Sequence, residues 1–248
     1  MSYLNIKGIV VKEVNVGESD KIITLLTKQK GKITVSAKGA RRPKSSFAAG
    51  TQFLSYSDFV LFSGKDMYSL NSCDIIETFY EIRNDMEKLT YAAHFVELVN
   101  DTVQENQPAA KVLQLFLNTL HMLAKTDKQP ELLARIIELR LLTIDGYTPY
   151  IRGCAVCGKD DCESYSFSFS KCGLICKGCA VQDPFAMDIS IGTIKALTYI
   201  IYSKIEDLFN FKVSQVILDE LGRLMKRYLR DRLEKDYNKL DFLKQLKA

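Results

Sequence analysis

The sequence predicts an α+β chain of several domains: an N-terminal β-barrel, then a helical domain carrying an inserted four-cysteine module. Three observations predict it. Short segments rich in Ile, Val and Thr, separated by turn signals, fill residues 3–80. From Leu89 onward apolar residues recur at helical spacing. Two Cys-x-x-Cys pairs lie within residues 151–184. The expected divisions are 1–80, 81–150, 151–184 and 185–248, with the second and fourth forming two parts of one helical domain.

Five strands are expected in the first division. Ile6 to Val14, Lys21 to Lys28 and Lys32 to Lys38 are separated by Gly17-Glu-Ser-Asp20 and Gln29-Lys-Gly31, which read as hairpin turns. Phe53 to Phe62 and Met67 to Phe79 follow, split by Ser63-Gly64-Lys65-Asp66. Five short strands in about 80 residues match a small barrel of OB type, although an SH3-like barrel gives the same count. Tyr56 and Phe62 share a parity with Leu54 and Val60 and are expected in the core.

After Glu81 the period changes. Leu89, Ala92, Val96, Val99 and Val103 mark a helix, and Pro108 breaks it. Val112, Phe116, Leu120 and Leu123 mark a second helix. Leu133, Ile136, Ile137 and Leu141 mark a third, between Pro130 and Gly146. Helical spacing resumes over Ile191–Tyr202 and from Val213 to Tyr228. These last helices are expected to pack on the earlier three, because short amphipathic helices need a partner.

Cys154-Ala-Val-Cys157 and Cys176-Lys-Gly-Cys179 are separated by 18 residues. Each knuckle aims two thiolates at one point, and four thiolates complete a tetrahedral zinc shell with no position open for water. One structural Zn²⁺ is therefore expected. Cys162 and Cys172 lie close enough in sequence to compete as ligands, and Cys73 reads as a spectator in an apolar strand.

Charge is unevenly distributed. Residues 1–80 hold 11 basic and 7 acidic side chains, residues 81–150 hold 7 and 10, and residues 185–248 hold 12 and 9. Between Asp20 and Asp58 eight cations occur without one acid. Four of them, Lys38, Arg41, Arg42 and Lys44, crowd into a stretch with Gly39 and Pro43 that has no apolar period. Such a loop gains most from a polyanion, whose condensed counterions it displaces. Lys30, Lys32, Lys38, Arg41, Arg42 and Lys44 are the candidate phosphate contacts, and Phe47 and Phe53 the candidate stacking rings. Five contacts to a single strand imply a salt slope of about −3.5, or roughly a 100-fold loss between 50 and 200 mM. The tract Arg223 to Lys247 carries nine cations against four acids, and its apolar stripe favours a packed helix with a wet outer face.

Several classes are disfavoured. There is no Gly-x-x-x-x-Gly-Lys-Ser/Thr phosphate loop, which argues against ATP use. His94 and His121 fall on helical segments as packed or partly exposed residues rather than catalysts. No catalytic constellation is found, so no enzyme is expected. No secretory leader and no membrane-spanning run is seen, and clustered reduced cysteines suit a cytoplasmic location.

The ordered set of motifs resembles the RecO family of bacterial DNA repair proteins. The matches are Gly17-Glu-Ser-Asp20, Gly31-Lys-Ile, Lys38-Gly-Ala-Arg-Arg-Pro-Lys44, Leu89-Thr-Tyr-Ala-Ala-His and Glu138-Leu-Arg-Leu-Leu with Gly146-Tyr. Cys154-x-x-Cys-Gly158, Phe167-Ser-Phe-Ser and Gly173-Leu-Ile-Cys extend the set through the cysteine region. Departures fall at Cys162 and at Cys172, where the family commonly has Gly. The resemblance implies an OB-fold barrel, zinc held by Cys154, Cys157, Cys176 and Cys179, and DNA contact through the Lys38–Lys44 loop. It also implies a non-enzymatic mediator, near the nucleoid, that binds single- and double-stranded DNA and anneals complementary strands. Its implied partners are RecR, RecF and single-strand-binding protein, and its task is to help load RecA. An RNA-binding or translation-associated protein is the alternative, since barrels and zinc knuckles serve RNA equally well.

Overall fold

The computed structural model describes residues 3–64, 67–241 and 243. Lys65 and Asp66, in the turn expected before the fifth strand, lie outside the described residues, as does the end of the basic C-terminal tract. The chain divides into two compact units, residues 1–92 with 96–125, and residues 93–95 with 126–248.

The first unit opens with β1 (Tyr3–Val16), β2 (Asp20–Thr27), β3 (Gly31–Ala37), β4 (Tyr56–Ser63) and β5 (Tyr68–Glu77). They close a barrel in the order β1-β2-β3-β5-β4, with β3 and β5 parallel and β4 returning to β1. That is the OB arrangement. Closure depends on β1, which pairs with β4 through Tyr3–Ile9 and with β2 through Gly8–Val16. A register shift between Val10 and Lys12 bends it from one partner to the other. Side chains alternate as the pleat requires, so β3 turns Ile33, Val35 and Ala37 inward and Lys32, Thr34 and Ser36 outward. Ile6, Val10, Ile23, Leu25, Phe59 and Leu61 fill the rest of the barrel core.

The parity expected for β4 is reversed. Ser57, Phe59 and Leu61 are buried, while Tyr56, Val60 and Phe62 are half-buried on the outer side. Leu54 belongs to the preceding turn, in a left-handed conformation at φ 66°, so strand parity does not extend back to it, and Val60, the other residue the count rests on, is apolar but faces outward.

Behind the barrel run α1 (Tyr80–Arg83), α2 (Met86–Thr102) and α3 (Ala110–Lys125). Asp85 caps α2 by accepting from the Lys88 amide at 3.0 Å. The α2–α3 connection straps the β2–β3 turn. The Lys32 amide donates to the Gln104 carbonyl, Asn106 to the Lys32 carbonyl and Ala109 to the Lys28 carbonyl, at 3.5, 3.3 and 3.0 Å. Gly31 sits beneath this strap at φ +55°, and a Cβ there would fall 2.6 Å from the Gln104 carbonyl oxygen.

In the second unit α4 (Pro130–Ile144) starts on proline, whose missing amide costs nothing at a helix start. Next come β6 (Tyr165–Ser168), β7 (Gly173–Cys176), α5 (Lys177–Ala180) and β8 (Met187–Ile189), with the strands ordered β7-β6-β8. The chain ends in α6 (Ile191–Tyr202) and α7 (Gln215–Leu233), capped by the Ser190 and Ser214 hydroxyls. Both helices pack on α4, which is buried along nearly its whole length. Among the described residues no helix is long and apolar enough to cross a membrane.

α4 also buries charge. Glu138 Oε1 lies 2.7 Å from His94 Nε2 and 2.9 Å from Arg135 Nη2, and all three residues are at most 8% exposed. His94 is therefore a partnered core residue. Glu138→Ala leaves Arg135 buried without its counter-charge, so it is expected to destabilise the protein by about 3–5 kcal/mol. Denaturant midpoints check this, and a loss under about 1 kcal/mol contradicts it.

Candidate nucleic-acid interface and metal centre

The basic stretch lies in the β3–β4 connection, and it is not slack. Successive turns are closed by the Ala40, Arg42, Ser45 and Ala48 amides on the Ala37, Gly39, Arg42 and Ser45 carbonyls. The segment is pinned to the β1–β2 turn, where the Arg41 amide donates to the Ser19 carbonyl at 2.9 Å and Arg41 Nη1 to the Gly17 carbonyl at 2.8 Å. Asp20 Oδ1 accepts from the Gly39 amide at 2.8 Å and from the Ser19 hydroxyl at 3.1 Å. Those two donors, with Lys38 and Arg42 nearby, hold the Asp20 carboxyl below its ordinary range. A depressed carboxyl keeps its tether at neutral pH and releases it only as the pH falls through that lowered value. One acid thus faces the cations after all, and it bounds the stretch in sequence.

Lys38, Arg41, Arg42 and Lys44 are all exposed. Among the described residues none of the four forms an ion pair. The other expected contacts lie elsewhere. Lys30 is in the β2–β3 turn and Lys32 opens β3, about 20 Å from Lys38 at ~3.3 Å per strand residue. The Lys32 ammonium donates to the Asn100 carbonyl at 2.5 Å. Phe47 and Phe53 are half-buried in the connection, where the Phe47 carbonyl accepts from both the amide and the hydroxyl of Thr51.

The hairpin expected at Gly17-Glu-Ser-Asp20 stands beside the loop and leaves Val14 and Val16 45% and 42% exposed, and its first strand is longer than expected, Tyr3–Val16 against Ile6–Val14. Cys73 is half-buried against the barrel core, and burial pushes its thiol up.

The four knuckle cysteines converge. The Sγ atoms of Cys154, Cys157, Cys176 and Cys179 all lie within 4.8 Å of one another. The first knuckle is closed by the Gly158 amide on the Cys154 carbonyl at 2.9 Å, with Gly158 at φ +76°. The second starts at the end of β7 and turns into α5. Burial opposes charge on Cys154, yet the amides of Cys157, Cys176 and Val156 bring its thiol down to about 6. Hydrogen bonding with Cys176 pushes Cys179 up to about 12. Hydrogen bonds from Cys179 lower Cys176 as well, and a site that favours thiolate at two sulfurs is suited to a cation that stabilises it at the others.

Cys162 and Cys172 stand outside the cluster. Cys162 lies against Tyr165, whose hydroxyl is pushed up to about 12 by burial and then by that contact. Cys172 points its Sγ at the Phe169 carbonyl, 3.7 Å away. It holds φ +53° in the β6–β7 turn, a conformation that glycine adopts without strain. Cys172→Gly is therefore expected to raise stability by about 0.5–1 kcal/mol. A lower denaturation midpoint in the variant contradicts this.

Comparison with known proteins agrees with this architecture. The family model described as Recombination protein O N terminal matches residues 1–79, the barrel. The model described as Recombination protein O C terminal matches residues 83–241. Among curated relatives, "DNA repair protein RecO" of Acetivibrio thermocellus is 57% identical over 246 residues, covering 99% of this chain and 98% of its own. Proteins of the same name from Alkaliphilus metalliredigens and Caldicellulosiruptor saccharolyticus are 35% and 34% identical. These matches cover 97% and 100% of this chain, and 98% and 100% of their own. With both family models matched in order and relatives aligned from end to end, the chain belongs to the RecO family.

Proposed function

We propose that the protein is a non-enzymatic DNA-binding recombination mediator in DNA repair. The observation that carries this reading is the tethered loop: four exposed cations, without an ion pair among the described residues, held on the connection of an OB barrel. Phosphates are the natural counter-charge for them, since binding releases condensed ions without breaking any internal ion pair. The loop binds single and double strands through the backbone, independently of sequence. Cations placed between two strands lower their mutual repulsion, which allows complementary bases to pair. Lys30 and Lys32 extend the charge along β3, and Phe47 takes a base only if the connection opens. Such a protein anneals strands coated by single-strand-binding protein and, with RecR and RecF, prepares them for RecA.

Zn²⁺ is the ion we assign to Cys154, Cys157, Cys176 and Cys179. Four thiolates at about 2.3 Å from zinc stand about 3.8 Å apart. The Cys157 and Cys176 sulfurs are 3.8 Å apart. The ion would join β7 and α5 to the segment before β6.

The test is annealing of complementary oligonucleotides without ATP, with binding of one labelled strand followed across a salt series. Four loop contacts give a slope of about −2.8, so affinity falls about 50-fold between 50 and 200 mM. Matched RNA should compete less well than DNA. Flat, weak binding, or preference for RNA, overturns the reading.

A further inference from the structure

The second unit carries another basic face, which the barrel does not account for. Between Arg223 and Arg232 five cations occur with one acid. α7 buries Leu221, Leu224, Met225, Tyr228 and Leu229, and so leaves Arg223, Lys226 and Arg230 in water. Arg223, Arg227 and Arg230 recur at i, i+4 and i+7, one stripe of the helix. At ~1.5 Å per residue the stripe spans about 10 Å, long enough to meet more than one phosphate of a strand. Lys177 faces Arg223 across a polar cleft of about 440 Å³. Neither has an ion-pair partner among the described residues. Two acids line the same cleft, and each is turned to a neutral donor rather than to a cation, Glu220 accepting from the Ser190 amide and Asp188 from the Ser166 hydroxyl, both at 2.6 Å.

A second observation narrows the ligand. Phe185 is 72% exposed and is the one exposed phenylalanine among the described residues. Its carbonyl accepts from Arg227 Nη1 at 3.0 Å, which fixes it beside the stripe. Arg227 itself lies 4.0 Å over the Phe169 ring, so it braces the face. An exposed ring next to a row of cations is the arrangement on which single strands stack a base. The one acid in the row, the half-buried Asp231, approaches Arg227 and Arg230 only at 3.6 and 3.7 Å, and such long, part-exposed pairs are weak.

We infer that this face is a second nucleic-acid site, which takes a single strand by phosphates on Lys177, Arg223 and Arg230 and by a base on Phe185. The inference rests on the proposed function and deepens it, because annealing requires two strands held at once.

The test uses full-length protein in four forms. They are wild type, Arg41→Glu/Arg42→Glu/Lys44→Glu, Lys177→Glu/Arg223→Glu/Arg230→Glu, and the combination, each checked for an unchanged melting temperature. Stoichiometric titration with a short labelled oligonucleotide should give two strands per wild-type chain, one for each triple variant and none for the combination. In the α7 variant annealing should fall at least tenfold while the remaining strand still binds. Phe185→Ala should weaken strand binding in the loop variant by about tenfold or more. An α7 variant with wild-type stoichiometry and annealing overturns the inference, and leaves the face to a protein partner. Wild type that binds no strand overturns the proposed function as well, so the two failures are distinct.

Discussion

Arg41→Glu, Arg42→Glu and Lys44→Glu together are expected to lower affinity for a single strand by about 100-fold or more at low salt. The salt slope should shrink by about 2, the share of three contacts. All three side chains are exposed and none contributes to the barrel core, so the melting temperature should stay within a few degrees. Arg41 also anchors the loop through the Gly17 carbonyl. Arg41→Ala alone should therefore cost more affinity than Lys44→Ala. A folded triple variant that binds and anneals as wild type removes the loop from the site.

Cys176→Ser with Cys179→Ser is expected to abolish metal binding and disorder residues 151–189. The sheet there has strands of four, four and three residues, too small to stand alone. A four-thiolate zinc site supplies about 10 kcal/mol or more of folding free energy. Wild type should hold one Zn²⁺ per chain by elemental analysis. The variant should hold none and be cut by protease between Ile151 and Ile189. Strand binding through the loop should persist, because the barrel belongs to the other unit. Protease resistance equal to wild type, with metal absent, contradicts a structural ion.

The sequence resolved elements long enough to show a period. β1 to β5 and the five long helices were legible because alternation or helical spacing recurs several times in each. The elements around the cysteines were not, since β6, β7, β8 and α5 run three to four residues and complete no second period. Parity failed at β4 because Leu54, at positive φ, lies outside the strand and because the outer face carries the apolar Val60. The knuckle spacing located the four thiolates without help from the fold. By contrast, the Asp20 tether and the His94–Glu138 pair join residues 19 and 44 positions apart, and neither partner advertises the other. Lys30 and Lys32 read as equals of the loop cations. Only the direction of β3 shows that they stand at its opposite end.

The strap over Gly31 has a consequence for inheritance. The barrel looks like a cassette that ancestral genes could have traded whole, ending near codon 80. Yet the β2–β3 turn completes its backbone bonding with residues 104–109, and any side chain at position 31 would strike that connection. A hybrid joined at residue 80 therefore inherits a turn from one parent and its cover from another. Crossovers after residue 125 keep both together but part His94 from Glu138, so viable chimaeras there should come from parents that share that buried pair.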